Sequence, residues 1–189
     1  MSKSIKVKSR NEFGVNKVFR LFFDAIEDKE NDVKEDNYLV IETHNSLKEF
    51  TGVSVLPVVG DSVLLINVYR HAIQKEIFEV PRGFVENDDK AVKFSAFREL
   101  REETNLNCQD SDMIFIHGMY PEPGILRAKI ALFIANNCSE FDKKNLTTRE
   151  FGHKSHKYFT KQDIEKMIKM PEKFDTTSYI LLKHWCQNS

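Results

Sequence analysis

The chain has 189 residues, a length that suits one hydrophobic core with an appended element. Hydrophobic residues make up 41% and charged residues 30%, as in most globular proteins, and the net charge of −1 lacks the long-range attraction by which basic proteins bind nucleic acids and anionic membranes. Three widely separated cysteines and the lack of a signal-like or membrane-spanning apolar run lead us to expect a cytoplasmic protein with no nucleic-acid or membrane partner.

The N-terminal part is predicted to be a β element covering residues 1–50. A polar stretch, EDKENDVKED from Glu27 to Asp36, separates the apolar segment Lys17–Ile26 from the segment that begins at Tyr38. This pattern predicts two strands around an exposed turn, with a short helix as the alternative for the first segment.

The next region, which opens the predicted domain 51–189, has a clear β-hairpin pattern. Two runs of aliphatic and β-branched residues, VSVLPVV from Val53 and SVLLINVY from Ser62, are separated by the turn signal Gly60-Asp61. A further short strand, EIFEVP from Glu76, is predicted to end at Pro81.

One helix is predicted from Lys90 to Thr104. The residues before it, Asn87-Asp88-Asp89, are of the types that cap helix N-termini, and Asn105 is a residue that tolerates positive φ and so can stop a helix.

The remaining chain is predicted to form two strands followed by two helices. The strands are Ile114–Tyr120 and Lys129–Asn136, separated by a loop containing Pro121, Pro123 and Gly124. The first helix begins at Thr160 and is ended by Pro171, and the second is Thr176–Cys186. The element order indicates an α+β protein with α/β/α layers and a mixed sheet.

Three carboxylates crowd the end of the first helix. Glu99, Glu102 and Glu103 lie at positions i, i+3 and i+4, where the helix places them on one side and where the helix dipole is negative. Arg98 can offset part of this charge, and a hard divalent cation with oxygen ligands can offset the rest. The alternative is an ordinary solvated helix face, which the run RELREE would favour if it stood alone.

The sequence around this helix resembles the Nudix box. That motif is a glycine, five residues, a glutamate, seven residues, and then R-E-hydrophobic-x-E-E-x-G-hydrophobic. Residues 98–106 match its second half with Asn105 in place of the glycine. The first half, counted from Gly83, is one residue longer than usual, so that the first glutamate position falls on Asp89 or on Lys90.

The flanking sequence resembles the ADP-ribose pyrophosphatases and related nucleotide-sugar hydrolases of the Nudix family. The matching segments cover nearly the whole chain in the expected order; they are YLVIE from Tyr38, VYRH from Val68, EVPRGF from Glu79, YPEPG from Tyr120, YFT from Tyr158 and DTT from Asp175. The resemblance implies a magnesium-dependent enzyme, with manganese as a substitute ion, that cuts the diphosphate of a nucleoside diphosphate derivative.

The resemblance also implies the metal ligands. Glu99 and Glu103 would be the principal ones, and Glu102 would complete the cluster directly or through water. The backbone carbonyl of Arg82 would be a further ligand, and Arg98 would orient Glu99 or Glu102. Glu102 or Glu103 is also an alternative general base.

Other site residues follow from the same resemblance. Glu150 is the first candidate for the base that takes the proton of the attacking water, and Glu140 is a weaker alternative. Arg70 is expected to contact the substrate diphosphate, although an exposed strand-end arginine is the competing interpretation, and Gly124 is expected to let its loop approach the substrate. Residues 1–50 are expected to form a homodimer interface.

Two alternatives remain open on the sequence. One is a Nudix hydrolase of another nucleotide, such as a dinucleoside polyphosphate or a nucleoside triphosphate. The other is a catalytically silent Nudix module that senses a nucleotide sugar, which the altered first half of the box and Asn105 would favour.

Overall fold

The computed structural model describes residues 4–44, 48–141 and 151–188 and divides into two compact units. The first unit comprises Met1–Thr51 and Tyr120–Lys129, and the second comprises Gly52–Met119 and Ile130–Ser189. In chain order the elements are β1 (Ile5–Val15), β2 (Phe19–Asp28), β3 (Val33–Thr43), β4 (Gly52–Val59), β5 (Ser62–Arg70), β6 (Lys75–Glu79), β7 (Arg82–Phe84), α1 (Val92–Thr104), β8 (Leu106–Asn107), β9 (Met113–Met119), β10 (Leu126–Arg127), β11 (Ile130–Ala135), β12 (Ser139–Glu140), β13 (His153–Thr160), α2 (Lys161–Met167) and α3 (Thr176–Asn188). None of the helices in these ranges has the length and apolar character needed to cross a membrane.

The first unit is a four-stranded sheet in the order β1-β2-β3-β10. β1, β2 and β3 pair antiparallel, and β10 pairs parallel to β3. The segment that began at Lys17 is therefore a strand and not the alternative short helix. The sequence analysis did not predict β1, because nearly all of its residues are exposed and its pattern has no buried face. Pairing with β2 forms it, across a turn in which the Asn16 side chain accepts the amides of Val18 and Phe19.

A buried ion-pair cluster joins the four strands of this unit. Asp24 on β2 and Glu42 on β3 are almost fully buried. Arg10 on β1 donates two hydrogen bonds to Asp24, of 2.8 and 2.7 Å, and one of 2.6 Å to Glu42, which also accepts 2.9 Å from Arg127 on β10. Because each buried carboxylate has a guanidinium partner, the desolvation cost of burying its charge is offset.

The second unit is built on a seven-stranded mixed sheet. Five strands follow the order β13-β5-β4-β11-β9, while β6 pairs with β5 and β7 pairs with β4. The predicted hairpin is confirmed as β4 and β5, with Gly60 in the left-handed region at φ 57°. β13 was not predicted. Its residues are mostly exposed, and it forms by antiparallel pairing with the edge of β5.

Helices cover both faces of this sheet, which confirms the predicted α/β/α layering. The side chains of Leu56 and Val58 on β4 pack with Leu181 and Leu182 of α3 in the main core. Because neighbouring strand residues point to opposite faces, Val55 faces the other layer, where α1 contacts β4.

The two C-terminal helices begin with side-chain caps. Thr160 and Asp163 form a reciprocal capping box at the start of α2, and Asp175 accepts the amides of Thr177 and Ser178 at the start of α3. The prediction that Pro171 ends the first of these helices was wrong. α2 ends at Met167, four positions before the proline, where the amide of Met170 donates 2.9 Å to the carbonyl of Met167 in a tighter turn, and Pro171 instead opens a short 3₁₀ turn, whose first position needs no amide donor.

Gly152 fixes the start of β13 against β5. Its carbonyl accepts the amide of Tyr69 at 2.9 Å, its φ is +89°, and a Cβ at this position would lie 2.4 Å from the Tyr69 carbonyl oxygen. We expect Gly152→Ala to lower the free energy of unfolding by about 2 kcal/mol, measured by urea denaturation. Gly14→Ala is the control, because its nearest neighbours would lie at 3.7 Å. Equal midpoints for the two variants would contradict this expectation.

Candidate active site

Helix α1 carries the acidic residues of the site. Its C-terminal end is where it was predicted, and its N-terminal end is not. It begins at Val92, and its N-cap Ala91 has no side-chain cap, so the predicted capping by residues 87–89 was wrong. Asp89 instead accepts the amide of Glu86 at 2.9 Å and the Ser95 hydroxyl at 2.6 Å, which ties the preceding loop to the helix. The predicted stop at Asn105 is confirmed, with φ at 57°.

Glu99 and Glu103 lie side by side on the buried face of α1, each 5% exposed. The Glu103 carboxylate accepts the backbone amide of Arg82 at 2.9 Å and lies 3.7 Å from the His153 imidazole. Strand β7 packs so closely on the helix that a Cβ on Gly83 would lie within 2.1–2.5 Å of the Glu99 carboxylate atoms. Only glycine therefore leaves room for this carboxylate.

Glu102 does not join the two buried carboxylates. Its side chain is 47% exposed and lies 3.4 Å from Arg98. Within residues 4–44, 48–141 and 151–188, no three His, Cys, Asp or Glu side chains are gathered closely enough to hold a metal ion, so the expected cluster of three is not assembled. The helix period places Glu102 about 60° from Glu99 and about 100° from Glu103. The packing of β7 against the side of α1 that carries Glu99 and Glu103 leaves Glu102 toward solvent.

Arg98 is the charge partner of this site. Its guanidinium donates 2.6 Å to Glu99 and 2.7 Å to the carbonyl of Phe84, and it lies 3.5 Å from both Glu86 and Asp89. Burial by itself would lower the pKa of Arg98, but the charges of Glu99 and Glu86 outweigh it and the net pKa is raised. The arginine therefore stays charged and braces Glu99 against the loop before the helix.

Asp89, in the loop before α1, lies 3.5 Å from Arg98. The spacing of the box left Asp89 and Lys90 as alternatives for its first glutamate position. Of these two residues, Asp89 contacts Arg98 and Lys90 is exposed. Burial alone would raise the pKa of Asp89, but the hydrogen bonds from Ser95 and from the Glu86 amide outweigh it, so the pKa is lowered. The extra residue in the loop is thus accommodated before α1 begins.

A second ion-pair chain runs from β5 to α3 beside the site. Glu79, whose side chain is 2% exposed, binds Arg70 through two hydrogen bonds of 2.6 and 2.5 Å and lies 3.0 Å from the Arg82 guanidinium. Arg82 in turn donates 3.0 Å to Asp175. Arg70 is therefore neither an exposed strand-end arginine nor an independent side chain, because a buried carboxylate fixes its orientation. The role of Glu79 was not predicted, because its burial at the end of β6 follows from tertiary packing.

We expect Glu79→Gln to lower the free energy of unfolding by about 2–3 kcal/mol. An amide cannot neutralise Arg70 and Arg82, although their partial exposure keeps the cost below that of a fully buried orphaned charge. Denaturant melts would measure it. Glu76→Gln on the exposed face of the same strand is the control, with an expected change within about 0.5 kcal/mol. If Glu79→Gln lowered the free energy of unfolding no more than Glu76→Gln does, the ion pairs would not be needed for stability.

Three further residues were predicted for the site: Gly124, Glu140 and Glu150. Gly124 belongs to the first unit, where its carbonyl accepts the Tyr38 hydroxyl at 2.8 Å and lines a cleft of about 500 Å³. Glu140 is an exposed residue of β12, paired with Leu106. Glu150 lies outside the described residues.

Comparison with known proteins decides the family. The family model of the NUDIX domain matches residues 48–179, a range that includes β7, α1 and the site arginines Arg70, Arg82 and Arg98. The chain belongs to the Nudix family. Nudix hydrolases generally use divalent metal cations.

Two relatives of this Nudix-family chain are informative. The methanol dehydrogenase activator of Bacillus methanolicus is 27% identical over 89 residues, which cover 47% of this chain and 46% of that protein, so the match spans about half of that relative's length. A solved structure described as an ADP compounds hydrolase has a TM-score of 0.74 and 15% identity and covers 98% of this chain and 95% of that chain. The second likeness establishes the Nudix fold.

Proposed function

We propose that this Nudix hydrolase is a magnesium-dependent pyrophosphohydrolase of ADP-ribose or a related nucleoside diphosphate sugar. The observation that carries the proposal is the burial of Glu99 and Glu103 side by side against the backbone of Arg82 and Gly83. Burying two adjacent carboxylates is costly unless cations compensate them. The lead-in and loop segments that resemble nucleotide-sugar hydrolases support the substrate class.

The donor set fits a hard divalent ion. Glu99 and Glu103 would hold Mg²⁺ or Mn²⁺, with the carbonyl of Arg82 as a backbone donor and the exposed Glu102 acting through water, because such ions prefer oxygen ligands. When bound, the ion supplies charge neutralisation of the diphosphate and activation of a water.

The protein's own groups orient the reaction. Arg98 holds the Glu99 carboxylate, and the Arg82 amide holds that of Glu103. Arg70, oriented by Glu79, is proposed to contact the diphosphate. Water attacks one phosphorus, a P–O bond forms, the bridging P–O bond breaks, and Glu150 is proposed to accept the proton of the water. From ADP-ribose the products are AMP and ribose 5-phosphate.

A substrate panel with product analysis tests the proposal. ADP-ribose, GDP-mannose, UDP-glucose, NADH and diadenosine polyphosphates are each incubated with the enzyme and Mg²⁺, and monophosphates are quantified by a coupled phosphatase assay. We expect the fastest release from a nucleoside diphosphate sugar, loss of activity with EDTA, and recovery with excess Mg²⁺. Turnover that is unchanged in EDTA would refute the metal dependence.

The alternatives predict other outcomes. Preference for a dinucleoside polyphosphate or a triphosphate would identify another Nudix substrate class. Nucleotide-sugar binding without turnover would indicate a silent module, which the separated position of Glu102 and the lengthened loop before α1 would favour. The name of the Bacillus relative suggests a further assay, in which the chain is added to a methanol dehydrogenase and stimulation is measured.

We propose that the first unit forms a homodimer interface. Four large apolar residues of β1 are between 48% and 63% exposed in the single chain: Ile5, Val7, Phe13 and Val15. Exposed apolar residues clustered on one strand are typical of an interaction surface. Sedimentation or light scattering should give twice the chain mass of 22.1 kDa, and a monomer at micromolar concentration would refute the proposal.

A further inference from the structure

Two of the three cysteines, far apart in sequence, face each other across a short ladder. β8 and β12 pair antiparallel with Asn107 opposite Ser139 and Leu106 opposite Glu140. Continuing this register by one residue places Cys108 opposite Cys138. Both cysteines are buried, at 8% and 6% exposure, and the Cys138 thiol donates a hydrogen bond of 3.1 Å to the carbonyl of Ala135.

The hydrogen-bond pattern decides which kind of pair they form. The amide of Phe141 donates 2.9 Å to the carbonyl of Asn105, and hydrogen-bonded pairs alternate along an antiparallel ladder. The pair of Cys108 and Cys138 is thus a non-hydrogen-bonded one, and the Cys138 amide donates 2.8 Å to Val58 instead. In such pairs the Cα atoms lie about 4.5 Å apart and the side chains are closest, within the Cα range of about 4.4–6.8 Å that a disulfide bridges.

We propose that Cys108 and Cys138 form an oxidation site at which a hydroperoxide converts the two thiols into an intramolecular disulfide. Hydrogen peroxide is small enough to reach thiols that larger disulfide reagents would not. The bond would join the chain just after α1 to β12, closing the loop 108–138 behind the helix that carries Glu99 and Glu103. This site goes beyond the proposed hydrolysis and does not depend on it.

The chemistry assigns different parts to the two sulfurs. Burial raises the pKa of both thiols, and the larger rise, to about 12, is at Cys138, whose thiol donates to the Ala135 carbonyl. Cys108 is therefore the first to react. Its sulfur attacks the peroxide, giving a sulfenic acid and one water; the Cys138 sulfur then attacks that sulfur and displaces the hydroxyl, which leaves with the Cys138 proton as a second water. Two thiols are oxidised by two electrons, and one peroxide is reduced.

Intact mass and peptide mapping of the reduced full chain test the site. After hydrogen peroxide treatment we expect a loss of about 2 Da, a Cys108–Cys138 peptide under non-reducing conditions, and reversal by dithiothreitol. The disulfide should raise Tm by roughly 5 °C or more. The oxidation rate should rise up to about tenfold per pH unit between pH 7 and 9, as the thiolate fraction grows.

Variants separate this site from other oxidation. Cys186→Ser should oxidise as the original does, whereas Cys138→Ser should stop at a Cys108 sulfenic acid that dimedone traps. The unmodified chain provides the decisive result without depending on either variant. A disulfide that includes Cys186, or stepwise oxygen addition with no Cys108–Cys138 peptide, would overturn the proposal.

Discussion

Replacing Glu103 by glutamine is expected to lower kcat by about 10³-fold and to change the free energy of unfolding by no more than about 1 kcal/mol. Glutamine has nearly the same shape, and its amide oxygen can still accept the Arg82 amide that now donates 2.9 Å to the carboxylate. What it lacks is the negative charge that a divalent ion requires. Activity and stability should therefore separate.

Steady-state kinetics at saturating Mg²⁺ and denaturant melts measure the two effects. Glu165→Gln, an exposed glutamate on α2, is the matched control and should retain full activity. Near-normal turnover by Glu103→Gln would refute its assignment as a metal ligand. An equal loss of activity and folding would show a structural role instead.

Adding one methyl group at Gly83 is expected to lower activity by roughly 10–100-fold through the Glu99 carboxylate. A Cβ there would lie 2.1 Å from the Glu99 Oε1 atom. The carboxylate is the end of a side chain and can shift, so the fold should tolerate the change. Its place beside Arg98, 2.6 Å away, should be lost.

The predicted signature of Gly83→Ala is a higher Mg²⁺ concentration for half-maximal activity, with Tm nearly unchanged. Gly14→Ala in the first unit adds the same methyl group with only ordinary contacts and should leave the Mg²⁺ requirement unaltered. A Gly83→Ala enzyme with the original Mg²⁺ dependence would contradict the inference that Glu99 must occupy this position.

Local patterns predicted much of the fold. The hairpin of β4 and β5, the helix stop at Asn105 and the helix beginning at Thr160 follow from apolar runs, turn residues and caps, each of which acts within a few residues. The patterns failed where an element has no buried face of its own. β1 and β13 are mostly exposed and exist because they pair with a neighbouring strand, and Asp89 binds Ser95 and the loop instead of capping α1.

The sequence by itself determined that Glu99 and Glu103 share one helix face, because the helix period is a local property. Only the tertiary structure decided that this face is buried against Arg82 and Gly83, that Glu102 is left toward solvent, and that Glu79 joins two arginines. The same holds for Cys108 and Cys138, which strand register makes neighbours. Contacts between distant segments depend on how strands pair and layers pack, and patterns that act within a few residues do not determine which distant segments meet.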